Sequence, residues 1–127
     1  MRAFVSSWRF PPYNGSAELD LFKRLKHVDA TFEIVQAKQA TPTEGGLFDD
    51  SYAARFNRYE VEVDGAPRTR VARDRFVEGV QTAFRNGPPC DVVLSHSNEV
   101  VSHDAALTLK SQGRLPWVAY FGDVVAA

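Results

Sequence analysis

Apolar residues in this chain fall into short blocks separated by proline, glycine and polar stretches, and the spacing inside the blocks alternates between continuous runs and a helical stripe. Residues 2–7 hold Ala3, Phe4 and Val5 in a row between polar neighbours, the pattern of a short strand buried on both faces. Residues 9–15, Arg-Phe-Pro-Pro-Tyr-Asn-Gly, cannot extend it, because paired prolines remove backbone donors and Asn-Gly favours a turn. Ser16 is suited to cap a helix, Glu18 lies at the positive end of its dipole, and Leu19, Phe22, Leu25 and Val28 recur on one face. Residues 30–37, with Phe32, Ile34 and Val35, give a second strand and complete a βαβ unit of suitable length.

From residue 38 to 57 the pattern dissolves into Thr, Pro, Gly-Gly and Asp-Asp, which reads as an irregular insertion. Residues 59–63 alternate apolar and polar up to Asp64-Gly65, and residues 68–72 are placed to return as the second arm of a hairpin. Asp74 then suits the N-cap of a helix carrying Phe76, Val80, Ala83 and Phe84, stopped by Asn86-Gly87-Pro88-Pro89. Residues 91–95 form a core strand through Val92, Val93 and Leu94. Ser102 opens a helix that runs through Lys110 and ends near Gly113, and residues 116–121 make the last strand. The order predicts an α/β, Rossmann-like, mainly parallel sheet with helices on both faces and a hairpin or irregular insertion.

With 127 residues and 44% hydrophobic content, the chain has the size and the apolar material for a single domain, residues 1–127. The sequence stops just beyond a predicted strand, without the helix expected to cover its end, as a cut domain would. A net charge of -1 supplies no basic field of the kind that nucleic acids require, so no nucleic-acid partner is expected. Cys90 is the only cysteine, which excludes an intramolecular disulfide and a zinc cage of several thiolates and fits a cytoplasmic protein. No signal-peptide core or membrane-length apolar stretch is present. Lys23, Arg24, Lys26 and His27 make a basic stripe, read first as a solvated helix face and second as a peripheral contact for anionic lipids at the inner face of a membrane.

Two stretches resemble the family-4 retaining glycosyltransferases of GT-B fold. One is the opening strand with Phe10-Pro11-Pro12-Tyr13-Asn14-Gly15-Ser16-Ala17, similar to the family's strand, proline pair and glycine turn, although Ser16 stands where a second glycine is common. The other joins Asp91-Val92-Val93-Leu94-Ser95, Ser102-His103-Asp104-Ala105-Ala106-Leu107 and residues 115–123, Leu-Pro-Trp-Val-Ala-Tyr-Phe-Gly-Asp. It is similar to the family pattern of a strand ending in Ser or His, a helix, and a Pro-Trp strand ending in Asp or His beside the sugar. Residues 38–72 have no counterpart in the family pattern. The resemblance implies the acceptor-side N-terminal domain of an enzyme that transfers a sugar from a sugar nucleotide with retention. It also implies a C-terminal donor-binding domain outside these residues, and a sugar or lipid-linked acceptor. The sugar nucleotide would be a co-substrate of the complete enzyme, no further cofactor is expected, and the fragment alone is expected to be inactive.

In an open parallel sheet, ligands bind beyond the carboxyl ends of the strands, where the loops after residues 7, 96 and 121 should lie. Asn14, Gly15 and Ser16 are candidate substrate-binding residues: glycine permits close approach, and the amides at a helix start favour an anion. The bland alternative is a helix-entry turn. Asp123 and His103 are the candidate catalytic residues, Asp123 to orient hydroxyls and His103 to hydrogen-bond a hydroxyl or phosphate oxygen. Each is about as well explained as a turn aspartate or a first-turn histidine. His96, Ser95 and Trp117 complete the substrate-binding set, although strand-flanking aromatics such as Trp117 and Trp8 are more often core. Ser102-His103-Asp104 cannot form an aligned nucleophilic relay from adjacent helical positions, and Cys90, His96 and His103 match no zinc spacing, so no metal is expected. The competing class is a free-standing binding or assembly domain of the same fold. A nucleotide or flavin regulator has less support, because no Gly-x-Gly-x-x-Gly or Walker sequence is present.

Overall fold

A computed structural model describes residues 1–9, 21, 23–38, 55–96, 99–113 and 115–120. Five strands, β1 (Arg2–Ser7), β2 (Thr31–Ala37), β3 (Phe56–Val61), β4 (Val92–His96) and β5 (Trp117–Tyr120), form one sheet in the order β3-β2-β1-β4-β5. Every pairing is parallel. Helix α1 (Arg70–Asn86) links β3 to β4, and α2 (Val100–Gln112) links β4 to β5. The protein is therefore α/β with a Rossmann-like sheet, as the element order predicts.

The alternation of side chains along each strand divides the core in two. On one face Phe4, Val35, Ala37 and Val93 pack under α1 and α2, through Ala72, Phe76 and Val80 of the first and Val101, Ala105, Ala106 and Leu109 of the second. Trp8 belongs to this core, tilted against Phe76 at 5.2 Å between centroids, and Phe4 meets Phe84 edge-on at 5.1 Å. Each fully buried side chain of that size contributes about 1.5–3 kcal/mol of transfer free energy. On the other face Ala3, Val5, Phe32, Ile34 and Phe56 pack with Leu21 and Leu25 of the leading helical segment. Leu25 is thus on the inward face as expected, whereas Val28 is 39% exposed and points away from it. Leu19 and Phe22 lie outside the described residues.

The expected hairpin is absent. Residues 56–61 pair with β2 in parallel, and residues 68–72 are a turn followed by the start of α1. As an edge strand, β3 is half-solvated, so it alternates like one arm of a hairpin without having an antiparallel partner. Phe56 and Asn57, read as the end of an insertion, belong to this strand; the remainder of that insertion, 39–54, lies outside the described residues. Helix α1 starts four residues before Asp74, with Thr69 at its N-cap, and Thr69 Oγ1 donates back to the Ala66 carbonyl rather than capping. It ends where predicted: Gly87 N–H donates to the Ala83 carbonyl at 2.9 Å, and a Cβ on Gly87 would lie 2.8 Å from that oxygen. Likewise α2 begins at Val100, so Ser102 lies inside its first turn instead of opening it.

Candidate functional site at the carboxyl edge of the sheet

From β1 the chain passes to β2 on one side, and from β4 it passes to β5 on the other. β1 and β4 are neighbours, so their exits diverge at a switch point of the kind where open α/β sheets hold ligands. Ser7 stands opposite His96, and His96 opposite Tyr120, so the three strand ends leading toward Gly15, His103 and Asp123 lie side by side on one edge. Asn14, Gly15, Ser16 and Asp123 themselves lie outside the described residues.

The edge is polar on both faces. Toward α2, four buried groups interlock: Ser6 Oγ donates to the Ser102 carbonyl at 2.8 Å, and the Trp8 N–H donates to Ser102 Oγ at 2.7 Å. Ser95 Oγ lies 2.7 Å from His103 Nδ1 and accepts from Trp117 Nε1 at 2.8 Å. Indole N–H only donates, so Ser95 Oγ is the acceptor toward Trp117, while the His103 tautomer sets which of Ser95 Oγ and His103 Nδ1 donates between them. The ring of His103, 6% exposed, is thereby tied to Ser95 of β4, which Trp117 of β5 engages in turn.

On the opposite face the final layer crosses all five strands as Glu60, Gln36, Ser7, His96 and Tyr120. Pairing sets Gln36 level with Glu60, and Ser7 and Gln36 continue the β1–β2 register one step past Ser6 and Val35. The Ala37 N–H donating to the Trp8 carbonyl extends that ladder. The layer beneath holds Arg58 on the edge strand and Ile34, Val5, Leu94 and Val118 on the other four, so on β2, β1, β4 and β5 the change from apolar to polar is abrupt. His96 is fully buried and stacks on Tyr120 at 5.1 Å and 20°, with the Arg24 guanidinium 5.8 Å over the tyrosine ring. Ser7 Oγ donates to the Arg9 carbonyl.

Set against family models and curated proteins, the chain matches none.

The structure thus groups Ser95, His96, His103 and Trp117 at one edge. Trp117 is half-buried against the core, with its indole nitrogen engaged by Ser95. Ser102, His103 and Asp104 turn to three separate partners, Trp8, Ser95 and Arg73, which removes any relay among them. Among the described residues no group of three His, Cys, Asp or Glu could hold a metal ion. Ser6, Ser7, Gln36 and Ser102 were not singled out as site residues; a polar side chain at the last inward position of a buried strand is the signal that marks the first three.

A second ionisable group of residues lies nearer the opposite edge. Glu33, 2% exposed, accepts from Asn57 Nδ2 and Tyr59 Oη at 2.9 Å each, and Arg2 Nε approaches it at 3.3 Å. The hydrogen bond to Glu33 raises the Tyr59 pKa. Burial, then the charge of Glu33, pushes the Cys90 thiol up to about 11, which leaves it unreactive near neutrality. All of these groups have partners, the arrangement of a structural network. A groove of about 570 Å³ between β3 and α1, lined in part by Glu60, Glu62, Arg75 and Glu78, lies apart from Ser95 and His103. Among the described residues no helix is long and apolar enough to cross a membrane.

Proposed function

We propose that the chain is the acceptor-binding, Rossmann-like domain of a retaining glycosyltransferase, inactive alone and completed by a donor-binding domain outside these residues. The observation that carries this reading is the adjacency of Ser7, His96 and Tyr120 at the switch point. It sets side by side the strand ends that precede the two stretches of family resemblance, far apart in sequence. Fold alone would not support it, since the same sheet serves many chemistries.

In this reading the sugar nucleotide is the co-substrate, and a sugar or lipid-linked acceptor lies along the edge formed by β1, β4 and β5. Retaining transfer needs an oriented acceptor hydroxyl and stabilisation of the departing diphosphate more than a strong base. Asp123 orients hydroxyls, and His103, held by Ser95, offers an imidazole of fixed position. Asn14, Gly15 and Ser16 supply backbone approach and amide donors. Exposed Lys23, Arg24 and His27 give a surface for anionic head groups, consistent with work at the inner face of a membrane.

The test is transfer by the complete protein from a panel of sugar nucleotides, with Asp123→Ala beside it. The expected result is turnover reduced at least tenfold in a variant that melts like the parent; no transfer by the complete protein overturns the reading, and unchanged turnover removes Asp123 from the site.

A further inference from the structure

Gln36 belongs to the polar layer of this edge, level with Glu60 on β3. Its side chain is fully enclosed, and neither Oε1 nor Nε2 has a hydrogen-bond partner among the described residues. A buried carboxamide left this way is costly and rare, and where it persists a water, an ion, a ligand or stored strain is the reason. Alternation along β2 decides where the amide sits. Val35 and Ala37 pack toward α1 and α2, whereas Phe32 and Ile34 pack toward Leu21 and Leu25, and Gln36 follows the second pair. That puts it in the polar layer with Ser7 and His96, at the switch point.

We infer that the Gln36 carboxamide reads a ligand at this edge, pairing with a group that both donates and accepts hydrogen bonds: neighbouring hydroxyls of a carbohydrate. Both halves of the amide are unused, which a single acceptor such as a phosphate oxygen cannot satisfy. Beside it are the Ser7 hydroxyl, the stacked His96 and Tyr120 rings and the Glu60 position, a polar and aromatic surface of the kind sugars engage. The choice of hydroxyls rests on the glycosyltransferase reading; the unpaired amide does not. A site built to hydrogen-bond a hydroxyl discriminates strongly, because an analogue lacking it leaves the buried amide unpaired.

The experiment is thermal unfolding of the chain and of Gln36→Met, a near match in shape without hydrogen-bonding groups, in buffer and with glucose, glucose 1-phosphate or inorganic phosphate. Without ligand, Gln36→Met is expected to melt higher by roughly 4 °C, because an unpaired buried amide is gone. Both sugars should raise the melting temperature of the unaltered chain and not that of the variant, and phosphate should raise neither. A variant that melts lower than the parent shows an amide already satisfied, by a bridging water for example, and overturns the inference. So does an unaltered chain that responds to neither sugar. A variant that keeps the sugar response also overturns it, while the glycosyltransferase reading, judged by turnover of the complete protein, still stands.

Discussion

Ser102 joins two elements through both its backbone and its side chain. Its carbonyl accepts from Ser6, its hydroxyl from the Trp8 N–H, and all three groups are buried. Ser102→Ala leaves the Trp8 amide without its acceptor and should cost about 1–3 kcal/mol, read as a lower urea midpoint with an unchanged slope. Sequence assigned Ser102 a cap, since serine before an apolar helix usually is one; its long-range partners, 94 and 96 residues away, are invisible to local pattern. The same holds for Cys90. Its folded pKa, raised to about 11 from 9.0, means the folded protein retains a proton the unfolded chain has released. The corresponding stability is complete below about pH 9 and is lost as pH rises through about 11. Tyr59 acts in the same direction, its contribution declining only above pH 10. Urea midpoints between pH 8 and 11 should therefore fall less steeply for Cys90→Ala than for the parent.

Helix α1 approaches β3 so closely that one position tolerates no side chain. A Cβ on Gly79 would lie 2.6 Å from both methyls of Val61. Helix propensity alone favours Gly79→Ala by about 1 kcal/mol, but Val61 is β-branched and has few rotamers to retreat into. The clash should win, with a net loss of about 1–2 kcal/mol that Val61→Ala in the same molecule largely restores, measured by a double-mutant cycle. By contrast the Arg73–Asp104 pair between α1 and α2, at 3.0 Å but 50% and 38% exposed, should be worth no more than about 1 kcal/mol. The strands buried on both faces, β1, β2 and β4, were readable from their apolar runs to within a residue. β3 was not, because an exposed edge carries the alternation of an antiparallel arm and only its partner reveals the direction. The start of α1 was misplaced for a related reason: Asp74 has the chemistry of a cap but lies a turn inside the helix, 3.8 Å from Arg70.

In the molecule as a whole, the parallel order was implied by alternating strands and helices, and the site followed from it only as far as the strand ends. Ser95, His96, His103 and Trp117 converge because β4, α2 and β5 are consecutive and tightly linked, the situation in which sequence neighbours remain spatial neighbours. Gln36 joins the same edge from a distant strand and needed the pairing register to be seen. Under the proposed glycosyltransferase reading, Ser95→Ala in the complete protein should lower kcat and shift its pH profile with little change in KM.

The central position of the first strand has a consequence for biogenesis. β1 takes one neighbour from residues 31–35 and the other from residues 92–96, so its second flank is completed only after residues 92–96 have been made. At ordinary elongation rates an aggregation-prone apolar segment then waits on the order of ten seconds for its mate. Nascent chains arrested before Val92 should be cleaved rapidly by protease and bound by trigger-type chaperones, and those released beyond Tyr120 should resist both.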